Sequence, residues 1–330
     1  NCATIIEKRI WAIFIKSYKK LMKSYLELRQ LIDQRLDKIE FLADAKSLYS
    51  PIEYILSLKA KRIRPVLLLM AHQLFSDNLK QAISPAIGIE IFHNFTLLHD
   101  DIMDNASVRR GYKTVHEKWN YNTAILAGDA MLIESYKHIT EVDNKILKDV
   151  LKIYNNAAIQ VCIGQKCDMD FENQKQVTIS EYIKMIEYKT AVLIAASMQI
   201  GGLIAGADSK NQEHLFEFGK NIGIGFQLKD DLLDVFGDKK VFGKEVGGDI
   251  KSNKKTYLFL KALEIADKKT VKKLNKYYSS FLSDSSKKIH NVKEIFLRLN
   301  IIDHTNTLIK KYHDLAMQSL KHIDGKEKIF

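Results

Sequence analysis

Residues 82–103 read AISPAIGIEIFHNFTLLHDDIM and residues 211–236 read NQEHLFEFGKNIGIGFQLKDDLLDVF. Both carry apolar residues around most of a helical circumference, so both predict central helices. Each closes on the same spacing, DDxxD: Asp100, Asp101 and Asp104 in the first, Asp230, Asp231 and Asp234 in the second. A helix turns about 100° per residue. Asp100 therefore shares a face with Asp104, and Asp230 with Asp234. Carboxylates so close repel one another unless a cation lies between them.

The rest of the chain supports an all-α reading. Only three prolines occur among 330 residues, none after Pro85, and glycine is sparse at 15. Long unbroken helices are then open to most of the sequence. Helical periodicity marks residues 17–36, 61–75, 82–103, 122–138, 145–170, 178–205 and 211–236. Pro65 sits well in a first turn. Residues 237–253 hold four glycines and predict a flexible loop. The lysine-rich segments after Thr256 predict peripheral amphipathic helices. No linker rich in Pro, Gly and Ser divides the chain, so residues 1–330 are expected to form one domain. Its core is expected at 59–258, with peripheral helices at 1–50 and 259–330.

Net charge is +11, from 51 Lys and Arg against 40 Asp and Glu. The lysines are scattered, without a basic block interleaved with aromatics, so a nucleic-acid groove is not supported. Three cysteines with no CxxC pair argue against a disulfide framework or zinc site and fit a reducing cytoplasm. The opening stretch, NCATIIEKRIWAIFIKSYKK, is broken by Glu7, Lys8 and Arg9 and is too short to span a membrane. It begins without Met, as a trimmed or incomplete terminus would.

The two acidic clusters favour an oxygen-only divalent ion, Mg²⁺, whose coordination phosphate oxygens commonly complete. Basic residues flank both clusters. Arg109 and Arg110 follow the first, while Lys59, Lys61, Arg62 and Arg64 precede Pro65. Lys244 and Lys254 lie in the glycine-rich loop. Any one of them alone would read as an ordinary surface charge. Together they suit a diphosphate. No GxxxxGK[ST] loop is present, which disfavours a nucleotide site of that type.

These motifs resemble the trans-isoprenyl diphosphate synthases (polyprenyl synthetases), short-chain type. The matching stretches are KRIRP (61–65), HNFTLLHDDIMDNASVRRG (93–111), GQKCDMD (164–170), KTA (189–191), FQLKDDLLD (226–234) and GKEVGGDIKSNKKTYL (243–258). The resemblance implies an all-α bundle around a central cavity, the isoprenoid synthase fold, usually as a homodimer. It implies a condensation of isopentenyl diphosphate with dimethylallyl, geranyl or farnesyl diphosphate. By resemblance, Asp100 and Asp104 bind two of three Mg²⁺ ions and Asp230 the third. Asp101, Asp234, Asp168 and Gln165 hold metal-bound water or orient ligands. Arg109, Lys189, Lys244 and Lys254 grip the allylic diphosphate. Lys61, Arg64, His93 and Arg110 grip isopentenyl diphosphate, and Thr190 and Gln227 face the developing carbocation.

Two departures stand out. Lys59 and Ala60 replace a usual Gly-Gly, and Lys229 replaces a usual Gln. Product length is expected to be set on the helix preceding Asp100. Positions four to five residues back lie about 6–7.5 Å deeper, at Thr96 and Phe95, with Phe92 a turn below. In the family that the chain resembles, one aromatic at that position implies geranylgeranyl diphosphate ahead of farnesyl diphosphate. The competing readings are a class I terpene cyclase and a non-catalytic synthase subunit. The first conflicts with KRIRP and RRG, the second with six intact aspartates.

Overall fold

The computed structural model describes residues 23–41, 43–237, 246–279 and 285–325. Helix follows helix: α1 Tyr25–Leu36, α2 Lys46–Ser57, α3 Ile63–Gln73 and α4 Lys80–Met103. A two-stranded hairpin, β1 Val108–Arg109 and β2 Tyr112–Lys113, precedes a short α5, Val115–Lys118. Then come α6 Tyr121–Ile139, α7 Asn144–Asn173, α8 Ile179–Ile186, a π turn Glu187–Ala191 and α9 Val192–Ile204. The rest comprises α10 Ser209–Phe236, α11 Gly248–Lys251, α12 Tyr257–Ile265, α13 Lys268–Ser279, α14 Ser285–Arg298 and α15 Ile301–Lys321. The all-α expectation holds, and six of the seven expected helices are present within a few residues of their predicted limits; the first, expected at 17–36, begins at Tyr25 behind the Ser24 cap, and residues 17–22 lie outside the described residues.

Local chemistry explains several starts. Ser24 caps α1, accepting from Glu27 N while the Glu27 carboxylate accepts from Ser24 N, a reciprocal capping box. Thr178 and Glu181 repeat the device at α8. Pro65 lies in the first turn of α3, where its missing N–H leaves no helical bond unmade.

The described residues gather into two compact units. One runs through Asn156 and adds Ala196–Phe216; the other holds Ala157–Ala195 and Glu217–His322. In the first, Leu28, Ile32, Leu68, Leu69, Ile89, Phe92 and Met131 are buried. In the second, the core is built from Leu228, Leu232, Leu258, Phe259, Leu274, Val292 and Phe296.

Three differences from the sequence reading have physical causes. The segments after Thr256 are not merely peripheral: α12 buries Tyr257, Leu258, Phe259, Leu260 and Ala262, and α14 buries Lys288 together with Val292, Ile295 and Phe296. The 178–205 helix is interrupted by the π turn, since one inserted residue leaves hydrophobic periodicity almost intact. Within the expected 237–253 loop, Gly248–Lys251 forms a helical turn entered through Gly247 at φ 92°; residues 238–245 lie outside the described residues.

Candidate active site

In the first unit, helix α4 delivers the first acidic cluster at its C-terminus, and Asp104 is the C-cap residue. The RRG motif is a hairpin turn. Val108 pairs with Lys113 and Arg109 with Tyr112. Arg110 (φ 55°) and Gly111 (φ 84°) both take left-handed backbone, the two-residue geometry that matches strand twist. Only Gly adopts it without strain, which accounts for Gly111. The turn folds Arg109 back over α4. Its guanidinium bonds Asp101 Oδ1 at 2.6 Å and Asp100 Oδ2 at 3.4 Å. Asp101 is buried, and burial pushes its pKa up to about 6 against the pull of Arg109. The Asp104 carboxyl is exposed.

Behind this cluster runs a buried polar network. Arg62, itself left-handed at φ 52°, donates to Glu90 at 2.7 Å, Asp33 at 3.0 Å and the Leu56 carbonyl at 2.6 Å. Asn94 Nδ2 donates to Glu90 Oε1 at 3.0 Å, and Arg110 donates to Asn94 Oδ1 at 3.4 Å. Burial works against the Arg62 charge, but Glu90 and Asp33 outweigh it, and its pKa is raised. Arg64 Nη1 lies 3.0 Å from His93 Nε2. Burial lowers the Arg64 pKa to about 10, with Glu90 opposing and Arg110 adding to the fall. Burial and then four arginines, Arg64 first, hold His93 far below the usual imidazole range. His93 is therefore a neutral acceptor for Arg64. Lys61 is half-buried, and its carbonyl accepts from the Tyr25 hydroxyl. Lys59 is exposed.

Deeper on α4, Phe92 is buried, its ring centroid 5.5 Å from Phe95 and 5.3 Å from Tyr154. The Tyr154 hydroxyl bonds Ser135 at 2.6 Å. Phe95 is half-buried and meets the His99 ring edge-on at 4.9 Å. The Thr96 hydroxyl bonds back to the His93 carbonyl.

In the second unit, an open cleft gathers Asp168, Lys189, Thr190, Gln227, Asp230, Asp231, Asp234 and Lys254, and adds Asp249 and Tyr182. The π turn presents Lys189 and Thr190. It fits because a Cβ on Gly164 of α7 would lie 2.7 Å from Lys189 Cα, and one on Gly223 of α10 would lie 2.5 Å from Ala191 Cα. Lys189 bonds Asp168 at 2.6 Å, joining two residues that the motifs placed in separate roles. Gln165 lies a turn before Asp168 on α7. The Thr190 hydroxyl donates to Gln227 Oε1 at 3.0 Å, and Gln227 Nε2 donates to Asp231 Oδ1 at 2.9 Å. The other Asp231 oxygen accepts from the buried Tyr182 hydroxyl. Asp249 N donates to Asp234 Oδ2 at 2.9 Å. Asp230 is exposed.

Burial first, and neighbouring carboxylates besides, push the Asp231 and Asp249 pKa values up. An acidic cleft in that state gains from a divalent cation, and its donors are oxygens, as Mg²⁺ prefers. Among the described residues, no three Asp, Glu, His or Cys side chains form a ready metal cage. Mg²⁺ does not require one, since it keeps several waters and takes phosphate oxygens. Lys244 falls outside the described residues. Nothing in the structure explains Lys229.

Sequence reasoning missed Glu90, Asn94, Tyr182 and Asp249. A lone Glu in the apolar run AIGIEIF was a usable signal, since a carboxylate is almost never fully buried without a partner.

The two sites, each carrying a DDxxD on an apolar helix with arginine or lysine beside it, define an all-α enzyme built for diphosphate chemistry. The polyprenyl synthetase family model matches residues 45–296, and the chain belongs to that family. It is similar to the geranylgeranyl diphosphate synthase of Methanosarcina mazei, 40% identical over 71% of this chain and 72% of the relative. It superposes on a crystal structure of a geranylgeranyl pyrophosphate synthase with TM-score 0.88 at 40% identity, covering 92% of this chain and 94% of that one. It also resembles a polyprenyl synthase of Caulobacter crescentus CB15, whose crystal structure is complexed with calcium and isoprenyl diphosphate. There the TM-score is 0.79 at 25% identity, over 96% of this chain and 91% of that one. The fold is the all-α isoprenoid synthase fold. Among the described residues, no helix is long and apolar enough to cross a membrane.

Proposed function

We propose that this chain condenses isopentenyl diphosphate with an allylic diphosphate to give an all-trans prenyl diphosphate, geranylgeranyl diphosphate in preference to farnesyl diphosphate. The observation that carries the reading is the cleft in which Lys189, Lys254, Thr190 and Gln227 share walls with six carboxylates, Asp168, Glu172, Asp230, Asp231, Asp234 and Asp249. Such a cleft suits a diphosphate that departs with growing negative charge. Both aspartate clusters serve the same reaction, and residues 1–330 act as one domain.

Mg²⁺, three ions per active site, would be held by Asp100, Asp104 and Asp230 and would neutralise the departing pyrophosphate. Asp101, Asp234, Asp168 and Gln165 orient these groups. The lysines Lys189, Lys254 and Lys244, with Arg109, hold the allylic diphosphate in line. Lys61, Arg64, His93 and Arg110 hold isopentenyl diphosphate. The allylic C–O bond breaks, its electrons leaving with pyrophosphate. The isopentenyl double bond then attacks the allylic carbon, and a proton departs to pyrophosphate. Thr190 and Gln227 turn oxygen atoms toward the cation, and the apolar helices keep water away from it. No side-chain nucleophile is required.

Phe95, Thr96 and Phe92 set product length. The half-buried Phe95 over the buried Phe92–Tyr154 pair supports a floor at that depth. We also propose a cytoplasmic homodimer. Leu126 and Ile133, seven residues apart on α6, are 59% and 63% exposed, an apolar stripe that a second copy would cover.

Labelled isopentenyl diphosphate and farnesyl diphosphate, incubated with the chain and Mg²⁺, test the reaction. Label in an acid-labile prenyl diphosphate, abolished by EDTA, is expected. Label that stays in isopentenyl diphosphate would remove the proposal.

A further inference from the structure

Lys288, on α14, is a buried lysine that the mechanism does not use. It is 3% exposed. Its ammonium donates to the Asn253 side-chain oxygen and, at 3.4 Å, to the Lys251 carbonyl. It also lies 5.5 Å from the Tyr278 ring centroid. No carboxylate among the described residues pairs with it. Burying an ammonium against neutral acceptors alone is expensive, several kcal/mol in an apolar setting. Something must offset that, and its two acceptors indicate what: both lie in the segment that carries Lys254.

The other side of Lys254 is tied down the same way. Lys255 donates to the carbonyls of Phe171 at 2.5 Å, Glu172 at 3.3 Å and Gln174 at 2.7 Å. These are carbonyls at the end of the 30-residue α7, where the helix dipole is negative and a cation is welcome. Asn253 and Lys255, the neighbours of Lys254 on either side, are thus each anchored by an ammonium. Asn253 is left-handed at φ 60°, a backbone that asparagine tolerates better than most residues and that the Lys288 bond holds in place. The Lys254 N–H bonds the Asp249 carbonyl at 2.9 Å, and Asp249 N reaches Asp234. The backbone of Lys254 is therefore fixed at the acidic cleft.

We propose that Lys288 and Lys255 are positioning residues that clamp segment 249–256 and so aim Lys254 at the allylic diphosphate. Lys255 lines the same cleft, but its ammonium is committed to the carbonyls at the end of α7. The inference rests on the role given above to Lys254.

The test is a double-mutant cycle on the full chain. Lys288→Met and Lys255→Met keep an unbranched side chain one atom shorter and remove its charge. Each is expected to raise KM for the allylic diphosphate about tenfold while KM for isopentenyl diphosphate stays within about twofold, a tenfold change in affinity being about 1.4 kcal/mol. In a Lys254→Met background, Lys288→Met should add less than about twofold, because residues acting through one another are not additive. An equal KM increase in both backgrounds would overturn the proposal, as would parallel increases for both substrates. Hydrogen exchange of the amides at 249–256 supplies a readout independent of activity. Exchange at least about tenfold faster in Lys288→Met, with α10 unchanged, is expected; unchanged exchange at 249–256 defeats the clamp. If exchange quickens while Lys254→Met leaves the allylic KM untouched, the role of Lys254 falls and the link to substrate with it, while the clamp itself is seen to exist.

Discussion

Glu90→Gln is the substitution whose consequences the structure specifies most fully. Glu90 and Arg62 meet at 2.7 Å with side chains only 2% and 3% exposed. Removing one partner of such a buried pair typically costs about 3–5 kcal/mol, because the other charge is stranded. Two features reduce that here. Gln keeps one carbonyl oxygen as an acceptor, and Asp33 remains on Arg62 at 3.0 Å, though Asp33 is 39% exposed and its attraction is screened. A loss of about 2–3 kcal/mol follows. At about 2–4 °C per kcal/mol for chains of comparable size, Tm should fall by about 5–10 °C. A second effect is specific to the site. Arg62 and Asn94 both donate to Glu90 Oε1, and in Gln that shared acceptor is a neutral carbonyl oxygen that binds each more weakly, so the hold of Asn94 on Arg110 loosens. KM for isopentenyl diphosphate should rise several-fold while KM for the allylic substrate stays within about twofold. Calorimetry gives the first quantity and steady-state kinetics the second. A Tm within 1 °C of wild type with both KM values unchanged would show that the network neither stabilises the unit nor places Arg110, and the reasoning would be wrong.

Four further outcomes are expected. Phe95→Ala should shift product toward longer chains on reverse-phase chromatography; an unchanged distribution would return Phe95 to an ordinary packing role. His93 is held neutral when folded, so folding stability should be full above the unfolded imidazole pKa of about 6.5 and fall as pH drops below it. His93→Gln should remove up to about 1.4 kcal/mol per pH unit of that decline, measured by urea titration between pH 7.5 and 5.5. Asp230→Asn should lower kcat by about 10²–10³ and raise the Mg²⁺ concentration needed for half-maximal rate. Ile133→Lys should convert the dimer to monomer in sedimentation velocity, and an unaffected dimer would place the interface elsewhere.

The helices were legible because a period of 3.6 in hydrophobicity is a local signal, and because prolines end at Pro85. Of the site, what the sequence disclosed is what lies close in the chain: each DDxxD, the Arg109–Arg110 pair, the KRIRP run. What it concealed depends on long separations or single-residue geometry. The RRG hairpin is two residues per strand, too short for alternation to register. The π turn at Lys189 is one inserted residue, seated by Gly164 and Gly223 from two other helices. Tyr182 reaches Asp231 across 49 residues and Lys288 reaches Asn253 across 35; no spacing rule connects them. The α12 helix looked peripheral because lysines surround it, although YLFL at 257–260 is the apolar run that buries it.

The most direct test starts from dimethylallyl diphosphate, excess isopentenyl diphosphate and Mg²⁺, with products followed by mass spectrometry. Successive condensations that stall at the twenty-carbon diphosphate, with one pyrophosphate released per step, are the predicted result. A cyclised hydrocarbon with isopentenyl diphosphate untouched, or no new diphosphate at all, would contradict the account.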